Sequence, residues 1–145
     1  MFGDFLKRLT QPDPQILTDT DARLALSALL VRIARSDGDY ATSETDRIDR
    51  ITIARYGLSP FEATALRHDA ETLETEAPDT VRFTRAIKGA VPYEHRRAVV
   101  EAAWSVVLAD GQRTDEEDSL LRLVASLLGV RDVDSALARQ KAERA

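Results

Sequence analysis

The sequence predicts an all-α protein that forms a single domain of two related helical halves. Three observations favour this fold class. Apolar residues recur at helical spacing along most of the chain, no segment alternates apolar and polar residues as a half-buried strand does, and one acidic motif occurs twice in matched context. At 145 residues, 43% of them apolar, the chain is long enough to bury its own core.

The first element is a short amphipathic helix at the amino terminus. Its apolar residues at helical spacing are Phe2, Phe5, Leu6 and Leu9. Charged residues interrupt them, so the segment is neither a secretory signal nor a membrane span. Two prolines then exclude a regular helix over 11–15. We therefore predict an N-terminal helix and proline-containing linker over 1–19, and a helical domain over 20–145.

Capping residues mark the helices of the first half. Residues 19–21 offer cap oxygens to a helix that ends at Asp37-Gly38, and the next helix stops at Gly57, where glycine can take the left-handed conformation. The segment Ser59-Pro60-Phe61-Glu62 predicts a helix start with a capping box and proline at the first helical position. That helix breaks near Pro78, and a shorter one ends at Gly89.

The second half repeats this pattern. A helix that starts at Pro92 carries the most apolar face of the chain, around Trp104, and we expect this face at the centre of the core. It ends at Asp110-Gly111. The following helix ends at Gly129, and Asp132 can cap a terminal helix.

The repeated motif is an apolar helix that ends in Asp-Gly, followed after five residues by a glutamate. It occurs as Asp37-Gly38 with Glu44 and as Asp110-Gly111 with Glu117. Both pairs have the same offset, since 110 − 37 = 73 and 117 − 44 = 73. The sequence therefore contains an internal duplication of a helix–turn–helix unit.

Clustered carboxylates of this kind suit calcium, magnesium or manganese, which take hard oxygen ligands. The metal ligands that we predict are Asp37, Glu44, Asp110 and Glu117. An EF-hand is excluded, because its first ligand positions hold Ile33 and Val106. The alternative is that the carboxylates only cap helices, as Thr114 with Glu117 can do in a capping box. Alanine at position 41 replaces that threonine in the first copy.

At these residues the chain resembles the TerB family of tellurite-resistance-associated helical proteins, whose fold also occurs in the N-terminal region of DjlA-type co-chaperones. The matching pieces are Ala34-Arg-Ser-Asp37-Gly38 with Glu44, Ala103 to Gly111 with Thr114-Asp-Glu-Glu117, and the Leu-Leu-Gly129-Val end. The likeness covers about residues 20 to 140. It implies a bundle of about seven helices with pseudo-two-fold halves and an acidic site associated with divalent metals, and it implies no enzymatic reaction.

Composition and missing motifs exclude several other functions. There is no cysteine, so disulfides and thiolate chemistry are impossible, and a net charge of −5 argues against a general nucleic-acid binder. No glycine-rich phosphate loop is present, and His68 and His95 are not paired with a nucleophile. A metal-dependent enzyme is the most distant alternative, because no general base or substrate pocket can be named.

The sequence thus predicts a cytoplasmic, non-enzymatic binding or scaffold module in a stress-response context, with a divalent cation at the acidic turns as its only cofactor. In this hypothesis the cation fixes the helix angles and thereby changes the surface shown to a protein partner. A homodimer, in which the partner is a second copy of the chain, is one form of this interaction. The alternative is a metal-independent, co-chaperone-like interaction domain.

Overall fold

A computed structural model describes residues 2–11, 16–35, 40–109 and 115–144, apart from the side chains of Ala109, Glu116 and Glu117. Within these ranges the chain forms eight α-helices and no strand, which confirms the predicted all-α class. The helices are α1 Gly3–Thr10, α2 Asp19–Arg35, α3 Thr42–Tyr56, α4 Pro60–Glu76, α5 Thr80–Ala90, α6 Tyr93–Ala109, α7 Asp115–Leu127 and α8 Asp132–Arg144. The expected bundle of about seven helices corresponds to α2–α8, with α1 in addition.

The two halves of the duplication are the helix trios α2–α3–α4 and α6–α7–α8. In each trio the first helix packs most extensively on the third, and α3 packs against α6 to join the halves. Helices α2 and α6 are both 17 residues long. The starts of α3 and α7 are separated by 115 − 42 = 73 residues, the same offset as the acidic motif. The structural repeat therefore coincides with the sequence repeat.

The core lies between the halves and contains the predicted apolar face of α6. Trp104 is 1% exposed, and its indole N–H donates a hydrogen bond to Ser135 Oγ of α8 at 3.1 Å. Because a buried indole N–H without a partner is costly, this bond fixes α8 on α6. Phe5 and Leu9 of α1 are buried in the same core, so the amphipathic helix folds back onto the bundle. The proposed domain boundary at 19/20 stays a prediction.

The helix ends follow the capping chemistry of the sequence with small shifts. Asp132, predicted to cap the terminal helix, is itself the first residue of α8. Ser59 Oγ accepts from the backbone N–H of Glu62 at 3.2 Å while the Glu62 carboxylate accepts from the Ser59 N–H at 2.9 Å, which completes the predicted capping box. The cap of α2 is Thr18 rather than a residue of 19–21, since its Oγ1 accepts from the Asp21 N–H. Helix α5 ends at Ala90, one residue beyond the predicted Gly89. The prolines of the predicted linker lie outside the described residues.

Candidate functional site

Of the four predicted metal ligands, only Glu44 has a described side chain. It is the third residue of α3 and is half-buried. Glu117 is the third residue of α7, so the two glutamates occupy equivalent helix positions, although the Glu117 side chain is outside the described part. Asp37 and Asp110 both lie outside the described residues. The equivalence of the two glutamates is thus structural as well as sequential.

The start of α3 bears on the capping alternative for Glu44. Ala41 is the N-cap residue and has no side-chain acceptor, so half of a capping box cannot form there. The backbone N–H groups of Glu44 and Thr45 bond instead to the Ala41 carbonyl, at 3.0 and 3.2 Å. A carboxylate in this first turn is still favoured by the positive end of the helix. The pure capping role is therefore weaker in the first copy than the sequence of the second copy suggests.

A buried acid ties down the end of α2 that precedes the first acidic turn. Glu74 of α4 is 9% exposed and accepts from Arg32 Nε at 3.0 Å and from Arg35 Nη1 at 2.7 Å. The Arg32 guanidinium also donates to the backbone carbonyls of Glu74 and Pro78, and it lies 5.6 Å from the ring centroid of Phe83 in α5. Helix α2 is therefore fixed to both α4 and α5 beside the turn.

A second cluster ties the start of α3 to α4. Tyr40 donates its hydroxyl proton to Glu71 at 2.6 Å, and Arg67 donates to Asp49 at 2.8 Å and to Glu71 at 3.3 Å. Burial, together with the Glu71 hydrogen bond and charge, raises the pKa of Tyr40 well above its usual range. Arg35 lies 4.9 Å from the Tyr40 ring centroid and so joins this cluster to the Glu74 cluster.

These contacts define a brace around the first acidic turn, and they assign a structural role to one of its neighbouring acids. Asp49 forms an ion pair with Arg67, so its charge is offset without a metal ion. The two clusters were not predicted from the sequence, because only the Arg67–Glu71 spacing is local and the other pairs join distant segments. At an offset of 73, the second half has Ser105 in place of Arg32 and Leu108 in place of Arg35. The brace is therefore a property of the first half.

Among the described side chains, no group of three or more His, Asp or Glu is arranged to hold a metal ion. None of the helices in the described ranges is long and apolar enough to cross a membrane. His68 is exposed, and His95 Nε2 lies 3.5 Å from Asp19 of α2.

The fold and the repeated turns define an all-α bundle of two helix–turn–helix units with an acidic turn in each. The family model described as "Tellurite resistance protein TerB" matches residues 23–140, most of the chain. The chain belongs to the TerB family, as its motifs predict. No curated protein and no solved structure matches the chain significantly.

Proposed function

We propose that this TerB-family chain is a non-enzymatic binding module whose acidic turns hold a divalent cation, namely calcium, magnesium or manganese. The proposed ligands are Asp37, Glu44, Asp110 and Glu117. We further propose that the bound state sets the angle between the helices of each hairpin and thereby the surface shown to a protein partner. A cytoplasmic stress response is the proposed setting, by analogy with the tellurite-resistance description of the family.

The observation that carries the proposal is the equivalence of the two turns. Glu44 and Glu117 stand third in α3 and α7, each seven residues after the aspartate of an Asp-Gly pair. Two aspartates and two glutamates make an all-oxygen donor set, which fits a hard cation and does not fit a soft one. When bound, the cation supplies positive charge that offsets the repulsion among these carboxylates.

A second candidate function is a protein-interaction domain that works without metal. The brace favours it, because Glu74 and Glu71 already fix α2, α3 and α4 around the first turn through arginine and tyrosine partners. In that case the acidic turns serve as helix starts and ends. The partner in either case is a protein, and a homodimer is one form of it.

Calorimetric titration of the metal-stripped protein with calcium, magnesium and manganese tests the first proposal. We expect saturable heat with at least one cation and a higher thermal midpoint, because a ligand that binds only the folded state stabilises it. The Asp37→Asn/Asp110→Asn variant should lose both effects. A matched control is Asp69→Asn/Glu94→Gln, which removes the same number of charges from exposed positions on α4 and α6.

The control variant should titrate like the wild type. Equal heats in all three proteins would show that binding is diffuse and not at the turns. No heat and no stabilisation with any of the three cations would refute the cation proposal and leave the metal-independent domain as the function.

A further inference from the structure

The end of the α2–α3 hairpin opposite the acidic turn carries two arginines that share one aromatic ring. The guanidinium carbon of Arg23 in α2 lies 4.8 Å from the ring centroid of Tyr56, and that of Arg55 in α3 lies 5.5 Å from it. Both distances are within the range of cation–π contact. We call Arg23, Tyr56 and Arg55 the Arg–Tyr–Arg patch.

Neither arginine of this patch forms an ion pair within the part of the chain that the structure describes. Over the residues for which the structure gives side chains, no carboxylate lies within ion-pair distance of either guanidinium, and the Nε of each is buried without a hydrogen-bond partner. The buried hydroxyl of Tyr56 also has no partner there. Glu62 lies within electrostatic range of Arg23, but its carboxylate accepts the Ser59 N–H hydrogen bond in the capping box of α4. Two neighbouring cations that form no ion pair with any described side chain favour an anionic ligand.

An exposed aromatic side chain follows the patch in the chain, and a groove adjoins the patch at Arg55. Phe61, in the first turn of α4, is 82% exposed. Arg55 is also part of the wall of a groove between α3, α6 and α8. The small residues along this groove are Ala54, Ala98, Ala102, Ala138 and Ala142. Because alanine side chains are small, another helix can approach the backbones of these helices closely.

The charges around the groove match those of the patch. Lys141 lines the groove together with Arg55, and the acid beside them, Glu101, has Arg97 as an ion-pair partner at 3.9 Å. A cationic surface is distinctive on a chain whose net charge is −5. Arginine, tyrosine and an exposed phenylalanine are also the residue types that dominate binding energy at protein interfaces. Charge and apolar surface together specify an acidic ligand with an apolar face.

We infer that the Arg–Tyr–Arg patch, Phe61 and the alanine groove form a docking surface for an acidic amphipathic helix of a partner protein. Carboxylates of that helix pair with Arg23 and Arg55, while its apolar face covers the groove and Phe61. The inference goes beyond the proposed function, because the surface uses none of the turn carboxylates. Arg23 of this surface is about 18 Å along α2 from Arg35, the last residue of the helix before the acidic turn, because 12 residues separate them.

A displayed library of random peptides tests the inference, with selection on the wild-type chain in the presence of EDTA. We expect enriched peptides to carry Glu or Asp among apolar residues at helical spacing. By fluorescence anisotropy, the affinity of an enriched peptide should fall at least about tenfold in Arg23→Gln/Arg55→Gln and also in Phe61→Ala. The matched control Arg82→Gln/Arg85→Gln, on the exposed face of α5, should bind like the wild type.

Several results would overturn the inference. One is enrichment of peptides without acids, and another is equal binding by the wild type and the Arg23/Arg55 variant. If phosphatidylserine vesicles or inorganic phosphate bind in an Arg23- and Arg55-dependent way and acidic peptides do not, the ligand is a lipid or phosphate. A dimer in sedimentation that the Arg23/Arg55 variant abolishes, again without peptide binding, assigns the surface to a second copy.

The design separates a folding defect and a failed cation site from a failed docking surface. Phe61 is almost fully exposed, so its replacement tests the surface even if the arginine variant unfolds. Since EDTA is present throughout, absence of a cation site leaves the expected result unchanged.

Discussion

The brace beside the first acidic turn depends on Glu74, and its replacement by glutamine gives the sharpest test of the packing. Glutamine keeps the size of the side chain but removes the charge that two guanidiniums share. The side chains of Glu74, Arg32 and Arg35 are 12, 16 and 32% exposed, so the two pairs are intermediate between buried and surface pairs. Breaking a fully buried pair costs about 3–5 kcal/mol, and breaking an exposed one costs about 0–1 kcal/mol.

We therefore expect Glu74→Gln to lower the free energy of unfolding by about 2–3 kcal/mol. In a chain of this length, each kcal/mol corresponds to roughly 3 °C of thermal midpoint, so the midpoint should fall by about 6–9 °C. Urea unfolding followed by circular dichroism measures the first quantity, and calorimetry measures the second.

The matched control for this prediction is Glu101→Gln, the same substitution in a looser pair. Glu101 lies 3.9 Å from Arg97, with side chains 38 and 47% exposed, and its loss should cost less than about 1 kcal/mol. If the two variants unfold at the same urea concentration, the Glu74 contacts contribute no more than a surface ion pair and the argument for a brace is wrong.

Two further predictions concern glycine and tyrosine. Gly57 and Gly129 both have left-handed φ values, +66 and +69°, but a Cβ at Gly129 would lie 3.0 Å from Arg96 Nη1, which is held by its bond to Leu128 O, whereas Gly57 faces open space. In urea unfolding, Gly57→Ala should cost about 1 kcal/mol and Gly129→Ala about 2 kcal/mol; equal costs would contradict the steric argument. Burial raises the pKa of Tyr56 from 10.0 to about 12, so the folded state holds this proton more tightly and stability should fall as pH rises from about 10 to about 12. The fall should be shallower in Tyr56→Phe, and parallel curves for the two proteins would count against a buried phenol.

The secondary structure of this chain was largely predictable because its signals are local. Ser59 and Glu62 are three residues apart, and Gly57 needs only its own φ to end a helix. The family was also predictable, since the repeated Asp-Gly and glutamate are contiguous in sequence. The cap of α2 at Thr18 was missed because several neighbouring residues offer equivalent oxygens, and only the helix geometry selects one.

The candidate sites were predictable only in part. The carboxylates of the turns are recognisable from their spacing, and their role as metal ligands stays a prediction. The Arg–Tyr–Arg patch could not be predicted from the sequence, because Arg23 and Tyr56 are 33 residues apart and no local motif links them. Exposure is equally hidden, since Phe61 is as apolar as Phe83, yet the first is 82% exposed and the second is buried.

The sequence by itself determined the helices, most of their ends, the duplication and the TerB family. Periodicity, capping and repeat spacing act within a few residues of the chain, or compare one stretch with another, and they need no packing to be read. Only the tertiary structure decided that Glu74 holds Arg32 and Arg35, and that Arg23 and Arg55 meet at one ring with no ion-pair partner among the described side chains. Those pairings depend on which helix faces pack together, and burial then decides how strongly each charge interacts.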